Sequence, residues 1–143
     1  MREIKREIQI SAPIDKVWQV LTDFENWKDW NTTAKAKGNT SLGTKLSITM
    51  IGEDCKEKTY GPEVVEVDAP KVFRWQVKMM GGLMFTNERV FELHEKNGGT
   101  EFVNIEKFSG LMASIFGGKM EAFIPPNLEK MNLALKNKVE SLG

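Results

Sequence analysis

From Arg2 to Ser11 the chain alternates: Ile4, Ile8 and Ile10 share one parity with Arg6, while Glu3, Lys5, Glu7 and Gln9 take the other. A period of two with one apolar face predicts a half-buried strand. The period then lengthens. Pro13 suits the first position of a helix, and Val17, Val20 and Leu21 follow at helical spacing, which predicts a helix of about two to three turns ending at Leu21. Thr22 and Glu25 have capping-box spacing, in which each side chain satisfies a free amide of a helix start, so a second short helix is expected from near Asp23. On it Phe24, Trp27 and Trp30 recur at intervals of three and form one aromatic stripe. The polar segment from Asn31 to Gly43, with Gly38 and Asn39, reads as a loop.

Period two returns at Thr44. Leu46, Ile48 and Met50 alternate with Lys45, Ser47 and Thr49, and Phe73, Trp75, Val77 and Met79 alternate with Val72, Arg74, Gln76 and Lys78. Between them "PEVVEVDAP" reads as a shorter strand ending in a turn. The glycines of "MMGGLM" and "HEKNGGT" mark hairpins, so Leu83 to Leu93 and Thr100 to Phe108 are two further antiparallel strands, which brings the total to about six.

From Ser109 onward the apolar residues return to helical spacing, first Leu111, Met112, Ile115 and Phe116, then Leu128, Met131, Leu135, Val139 and Leu142. A long C-terminal helix follows, with Gly117-Gly118 and Pro125-Pro126 as interruptions. Neither proline can donate to Glu121 or Ala122, and Ile124 is pushed out of the helical region by the ring after it. A break or kink is therefore expected near Ile124, with the main helix running from about Pro126 to Ser141. Leu111 to Phe123 would then be a separate apolar segment, either a lid hinged at the glycines or a rigid arm.

Composition narrows the classes. The 143 residues, with no repeat, linker or low-complexity tract, form one domain, 1–143, and 41% hydrophobic with 28% charged residues is ordinary for a globular chain. Twenty basic residues balance twenty acidic ones, so no overall field attracts nucleic acid. A base-stacking role for the tryptophans also lacks its basic groove, because "DFENWKDW" holds more acid than base. Trp18, Trp27 and Trp30 read as core and rim aromatics, with Trp30, beside the loop, the candidate for a ligand or partner contact. No apolar run approaches the length of a membrane span, and the N-terminus lacks a signal-peptide core, so the expectation is a cytoplasmic protein without integral membrane association.

The order strand, two short helices, antiparallel strands and long C-terminal helix resembles the helix-grip fold of the START-like superfamily over almost the whole chain. The segments that carry the resemblance are "ISAPIDKVWQVLTDFENWKDWN", "VVEVDAPKVFRWQV", "FELHEKNGGTEFVNIEKFSG" and "LEKMNLALKNKVE". Together they look like the bacterial polyketide cyclase/dehydratase-type (SRPBCC) branch. The resemblance implies an α+β fold in which a curved antiparallel sheet of about six strands wraps the C-terminal helix and leaves an apolar cavity between them. Members bind lipids, sterols, polyketides or plant hormones, and some act as aromatases, cyclases or partners of other proteins. Pro125-Pro126 departs from the uninterrupted helix of that pattern.

Strand parity selects the candidate site. If Phe91 and Leu93 face the cavity, so do Phe85, Asn87 and Arg89, and on the next strand Phe102 and Phe108 carry Asn104 and Glu106 with them. The "EKNGG" turn pairs Leu93 with Phe102, which sets Phe91 opposite Asn104 and Arg89 opposite Glu106. An inward ion pair is costly to desolvate and needs a reason. It is a polar anchor for a ligand, or a self-satisfied pair that fixes strand register, or, if a bulge reverses the parity, a solvated pair. Phe73, Trp75, Phe91, Phe102 and Phe108 would form the apolar wall, Asn87, Arg89, Asn104 and Glu106 the polar contacts, and Met112, Ile115 and Phe123 the cover.

Other chemistry is sparse. His94, the sole histidine, takes the outer parity beside a turn, which removes a histidine-based triad or metal site. Cys55, the sole cysteine, sits in a charged turn with no histidine partner, and Tyr60, the sole tyrosine, either packs on a strand or offers a phenol to the cavity. These features imply a non-catalytic binder of a small, mostly hydrophobic molecule, lipid or polyketide-like, with no cofactor and no metal. One alternative is a cyclase/dehydratase-like enzyme in which Arg89 stabilises an enolate and Glu106 moves a proton. Another is a protein-partner module such as a chaperone-ATPase activator or stress adaptor.

Overall fold

The computed structural model describes residues 2–52 and 56–142, so Cys55 lies outside the described residues. Its elements in order are β1 (Arg2–Ile10), α1 (Ile14–Thr22), a 3-10 helix (Phe24–Asp29), β2 (Ala34–Lys37), β3 (Ser47–Ile51), β4 (Glu57–Tyr60), β5 (Glu63–Asp68), β6 (Val72–Met79), a short 3-10 turn (Met80–Gly82), β7 (Phe85–Lys96), β8 (Gly99–Ser109) and α2 (Leu111–Ser141). Five strands form one antiparallel sheet in the order β1-β8-β7-β6-β5, and β2-β3-β4 form a second. A bridge between Lys45 and Glu63 joins them. The α+β helix-grip expectation holds, with eight strands among the described residues in place of about six.

Register is set at the β7–β8 hairpin. Asn97 and Gly98 both have positive φ, 54° and 76°, as a two-residue turn with the twist of the flanking strands requires. Lys96 then pairs with Gly99, and the ladder runs from there through Leu93–Phe102, Phe91–Asn104 and Arg89–Glu106. No bulge interrupts it, so the parity expected from the sequence is kept. Across β6 the same face continues with Phe73 opposite Phe91 and Trp75 opposite Arg89.

α2 covers that face. Leu128, Met131, Leu135 and Val139 recur at helical spacing and are almost fully buried, Leu128 in a cluster with Ile4 and Phe108 and the other three with Ile10, Leu93, Phe102 and the aromatic residues of the sheet. Trp27 fills the other side of the same core, its indole donating to the Leu21 carbonyl at 2.8 Å. Burial of such side chains contributes roughly 1.5–3 kcal/mol each.

Three expectations need correction. The segment Asn31 to Gly43 is not all loop: Ala34 and Ala36 are buried and Lys35 and Lys37 exposed along β2. Alanine carries too little apolar weight for this alternation to stand out in sequence. The second helix is 3-10 and has no side-chain cap; the Thr22 hydroxyl donates back to the Trp18 carbonyl at 2.7 Å instead of capping. Finally, α2 is continuous through Pro125 and Pro126, so neither the break at Ile124 nor a separate segment ahead of it is present. Ile124 and Leu128 anchor the helix on both sides of the prolines by packing in a cluster with Ile4 of β1 and Phe108 of β8. Glu121 and Ala122, whose carbonyls lose their amide donors, are exposed, so water can take the donors' place.

This continuity is testable at exposed Pro126. An interior helical proline costs about 3 kcal/mol, of which about 1 kcal/mol is offset by its stiffening of the unfolded chain. Pro126→Ala should therefore raise stability by about 1–2 kcal/mol in denaturant unfolding, whereas a loss of stability would indicate a helix that starts at the proline.

Candidate functional site

The inner face of β6, β7 and β8 is apolar and largely aromatic except at one place. Phe73 stacks on Phe91 with centroids 6.4 Å apart, Phe91 on Phe102 at 5.9 Å, and Trp75 meets Phe91 edge-on at 5.3 Å. Beside these rings lie Arg89, Glu106, Asn87 and Asn104. Arg89 Nη2 donates to Glu106 Oε2 at 2.6 Å, with the two side chains only 7% and 12% exposed. Asn87 Nδ2 donates to the other carboxylate oxygen at 2.9 Å. The guanidinium carbon also lies 5.8 Å from the Phe91 centroid, within cation–π range.

Satisfaction ends there. Among the described residues Arg89 Nη1 meets only the Met131 sulfur, at 3.9 Å, and Asn104 Nδ2 shares that sulfur at 3.7 Å while donating to Asn132 Oδ1 at 3.1 Å. Arg89 Nε, Trp75 Nε1 and Asn104 Oδ1 are buried and have no hydrogen-bond partner among the described residues. Unsatisfied buried groups of this kind cost about 1–3 kcal/mol each. Strand pairing places Trp75 opposite Arg89 and Arg89 opposite Glu106, so the shortfall is local.

Tyr60, at the end of β4, is half-buried and packs on the same core. Burial pushes its phenol from 10.0 up to about 12, the nearby Arg89 charge pulling it down and Glu106 pushing it up by smaller amounts. The Trp75 indole interacts with it weakly, without good hydrogen-bond geometry. At ordinary pH it is a neutral donor beside an ion pair.

The residues expected to act together are thus divided. Phe73, Trp75, Asn87, Arg89, Phe91, Phe102, Asn104 and Glu106 share one buried region, and Phe108 is buried with Ile4 and Leu128 further along α2. Trp30 is half-buried against Trp27 at 5.8 Å, Met112 is half-buried, and Ile115 is exposed away from the cluster. Phe123, also exposed, lines a cleft of about 340 Å³ with Thr33, Ile51, Pro126 and Asn127. His94 is exposed and meets Glu92, as expected. Met131 and Asn132 are additions from α2. Asn132 left a trace in the sequence, a polar residue four after Leu128 on the apolar stripe; Met131 left none. Among the described residues no group of side chains could hold a metal ion, and no helix is long and apolar enough to cross a membrane.

Comparison with known proteins is consistent with this architecture. The family described as "Polyketide cyclase / dehydrase and lipid transport" matches residues 1–140. A relative from Penicillium oxalicum, "Oxopyrrolidines biosynthesis cluster protein O", is 30% identical over 114 residues, 60% of this chain; the match spans 56% of that relative's length. A Thermus thermophilus protein of known crystal structure has TM-score 0.78 at 17% identity, with 99% of each chain covered. The Zhui aromatase/cyclase of a Streptomyces species has TM-score 0.77 at 16% identity, covering 97% of this chain and 93% of its own. At such identities the two structures establish the fold alone.

Two outcomes check the site. Glu106→Gln leaves the buried guanidinium without its counter-charge and should cost about 3–5 kcal/mol in denaturant unfolding; an unchanged midpoint would mean a solvated pair. Because the folded state disfavours the Tyr60 phenolate, stability should be undiminished below pH 10 and fall as pH rises from 10.0 toward about 12. Tyr60→Phe should remove that portion of the loss. Tyr60 is the only tyrosine, so ultraviolet titration reads it directly, and a midpoint near 10.0 in the folded protein would contradict its burial.

Proposed function

Because this chain belongs to the polyketide cyclase/dehydrase and lipid transport family, we propose that it binds a small, mostly hydrophobic molecule between the five-stranded sheet and α2. The observation that carries this reading is the polar deficit in a largely aromatic interior: a buried ion pair beside Trp75 Nε1, which meets only the Tyr60 phenol and without good geometry, with Arg89 Nε and Asn104 Oδ1 having no hydrogen-bond partner among the described residues. A pair kept only for strand register would be expected to satisfy itself. The aromatic side chains supply apolar contact, and Arg89, Asn104 and Tyr60 orient the polar end of the ligand. A cleft beside Phe123 and Asn127 lies at the edge of α2. Apolar contact at about 0.8 kcal/mol per buried methylene supports micromolar binding of a compound with eight to ten carbons, after the costs of association.

One observation favours a second reading, cyclisation or dehydration of a carbonyl compound. The Tyr60 phenol stays protonated beside Arg89 and Glu106 and can donate to a carbonyl as charge develops on its oxygen. The Zhui aromatase/cyclase, which shares the fold, is named for such chemistry. A dehydrated or cyclised product from a poly-β-ketone thioester, formed by wild type and lost in Tyr60→Phe, supports it; unchanged thioester refutes it.

Binding itself is tested with the neutral probe N-phenylnaphthylamine. Its fluorescence should rise saturably, with energy transfer from tryptophan that drops in Trp75→Phe. A linear, non-saturating rise, or undiminished transfer in that variant, would place binding elsewhere or nowhere.

A further inference from the structure

The Met131 side chain packs against the two residues of the polar cluster, Arg89 and Asn104, that each carry an atom without a hydrogen-bond partner among the described residues. It is 2% exposed, and its sulfur lies 3.9 Å from Arg89 Nη1 and 3.7 Å from Asn104 Nδ2. A thioether is a weak acceptor. A guanidinium donor ordinarily takes oxygen at about 2.7–2.9 Å, in a bond roughly twice as strong as a neutral one. The sulfur therefore fills the space without meeting the demand.

We propose that Met131 holds the place of a ligand oxygen in the unliganded protein, and that the ligand presents there an uncharged carbonyl. This rests on the binding reading above and specifies the chemistry of its polar end. Three features define that end. Donors dominate: Arg89 Nε, Arg89 Nη1 and Trp75 Nε1 are unpartnered or poorly partnered, so the incoming group accepts hydrogen bonds. Charge is already balanced, because Arg89 is paired with Glu106 at 2.6 Å; a carboxylate would leave a net negative charge in the interior, and an amine would face the guanidinium. One acceptor, Asn104 Oδ1, is also unpartnered, which suits a hydroxyl next to the carbonyl. A hydroxylated or enolisable ketone on an apolar body matches all three.

The methionine also suits displacement. Its three rotatable bonds let the side chain swing without moving the helix. Asn127, one turn earlier on α2, lines the cleft of about 340 Å³.

The test uses butyrophenone and butylbenzene, which differ at a single carbonyl, as competitors of N-phenylnaphthylamine. Butyrophenone should bind about tenfold tighter although it is the less hydrophobic of the two. With methionine methyls labelled and Met131 assigned by its loss in Met131→Leu, butyrophenone should shift the Met131 signal and butylbenzene should not. Met131→Gln, which offers the donors an amide oxygen of its own, should raise the melting temperature and weaken butyrophenone about tenfold relative to butylbenzene. Equal affinity for the two compounds, or a Met131 signal unmoved by butyrophenone, overturns the proposal while leaving the binding reading intact. If none of the three compounds binds, the binding reading fails and the proposal with it. The methyl signal is read on the wild-type chain, so the test does not depend on any variant folding.

Discussion

The antiparallel register of β7 on β8 decides which side chains reach the interior. Side chains alternate faces with a period of two, so a slip of one residue would turn Phe91, Leu93 and Phe102 to the outside and bring Glu92, Val103 and Ile105 in. The Asn97-Gly98 turn fixes the register at one end, and burial of the aromatic face holds it along its length. Arg89 and Glu106 are carried inward by the same alternation. They share strands with residues that must be buried, and no local rearrangement can expose them without unpairing the sheet.

The interior therefore divides in two. One part is closed and self-sufficient: Phe24, Trp27, Phe73, Trp75 and Phe91 contact one another ring to ring, and α2 seals them with Met131, Leu135 and Val139. The other part is polar and incomplete. Arg89 and Asn104 meet the sulfur of one methionine, and the hydrogen-bonding capacity of these two residues and the Trp75 indole exceeds what the described residues provide. A fold optimised for stability would fill that volume with hydrocarbon, because a buried pair seldom improves on well-packed apolar side chains. The ligand proposed above would supply the missing reason.

How much of this was legible in the sequence depended on periodicity. β1, β6, β7 and β8 carry large side chains on a strict alternation, so their faces, and the Arg89–Glu106 pairing, followed from parity and one turn. β2 was hidden because its buried residues are alanines. α2 was misread at its prolines: local rules weigh the two lost hydrogen bonds, whereas the packing of Ile124 and Leu128 on β1 and β8 is a tertiary term that sequence spacing does not report. The candidate site was legible on the sheet and not on the helix. Parity relates neighbours within a sheet, but nothing in sequence spacing says which turn of α2 lies over Arg89, and so Met131 passed as one more apolar residue of the stripe.

The central claim is that the buried polar cluster is retained for a ligand and not for the fold. Replacing the pair together, as Arg89→Met with Glu106→Leu, separates the two roles, because apolar side chains of similar volume remove the desolvation cost and the polar contacts at once. Denaturant unfolding of this double variant, with butyrophenone binding measured on the same sample, is the most direct measurement. The account predicts stability equal to wild type or higher by about 1–4 kcal/mol, together with loss of the preference for butyrophenone over butylbenzene. A double variant that is several kcal/mol less stable, or that keeps the preference, would contradict it.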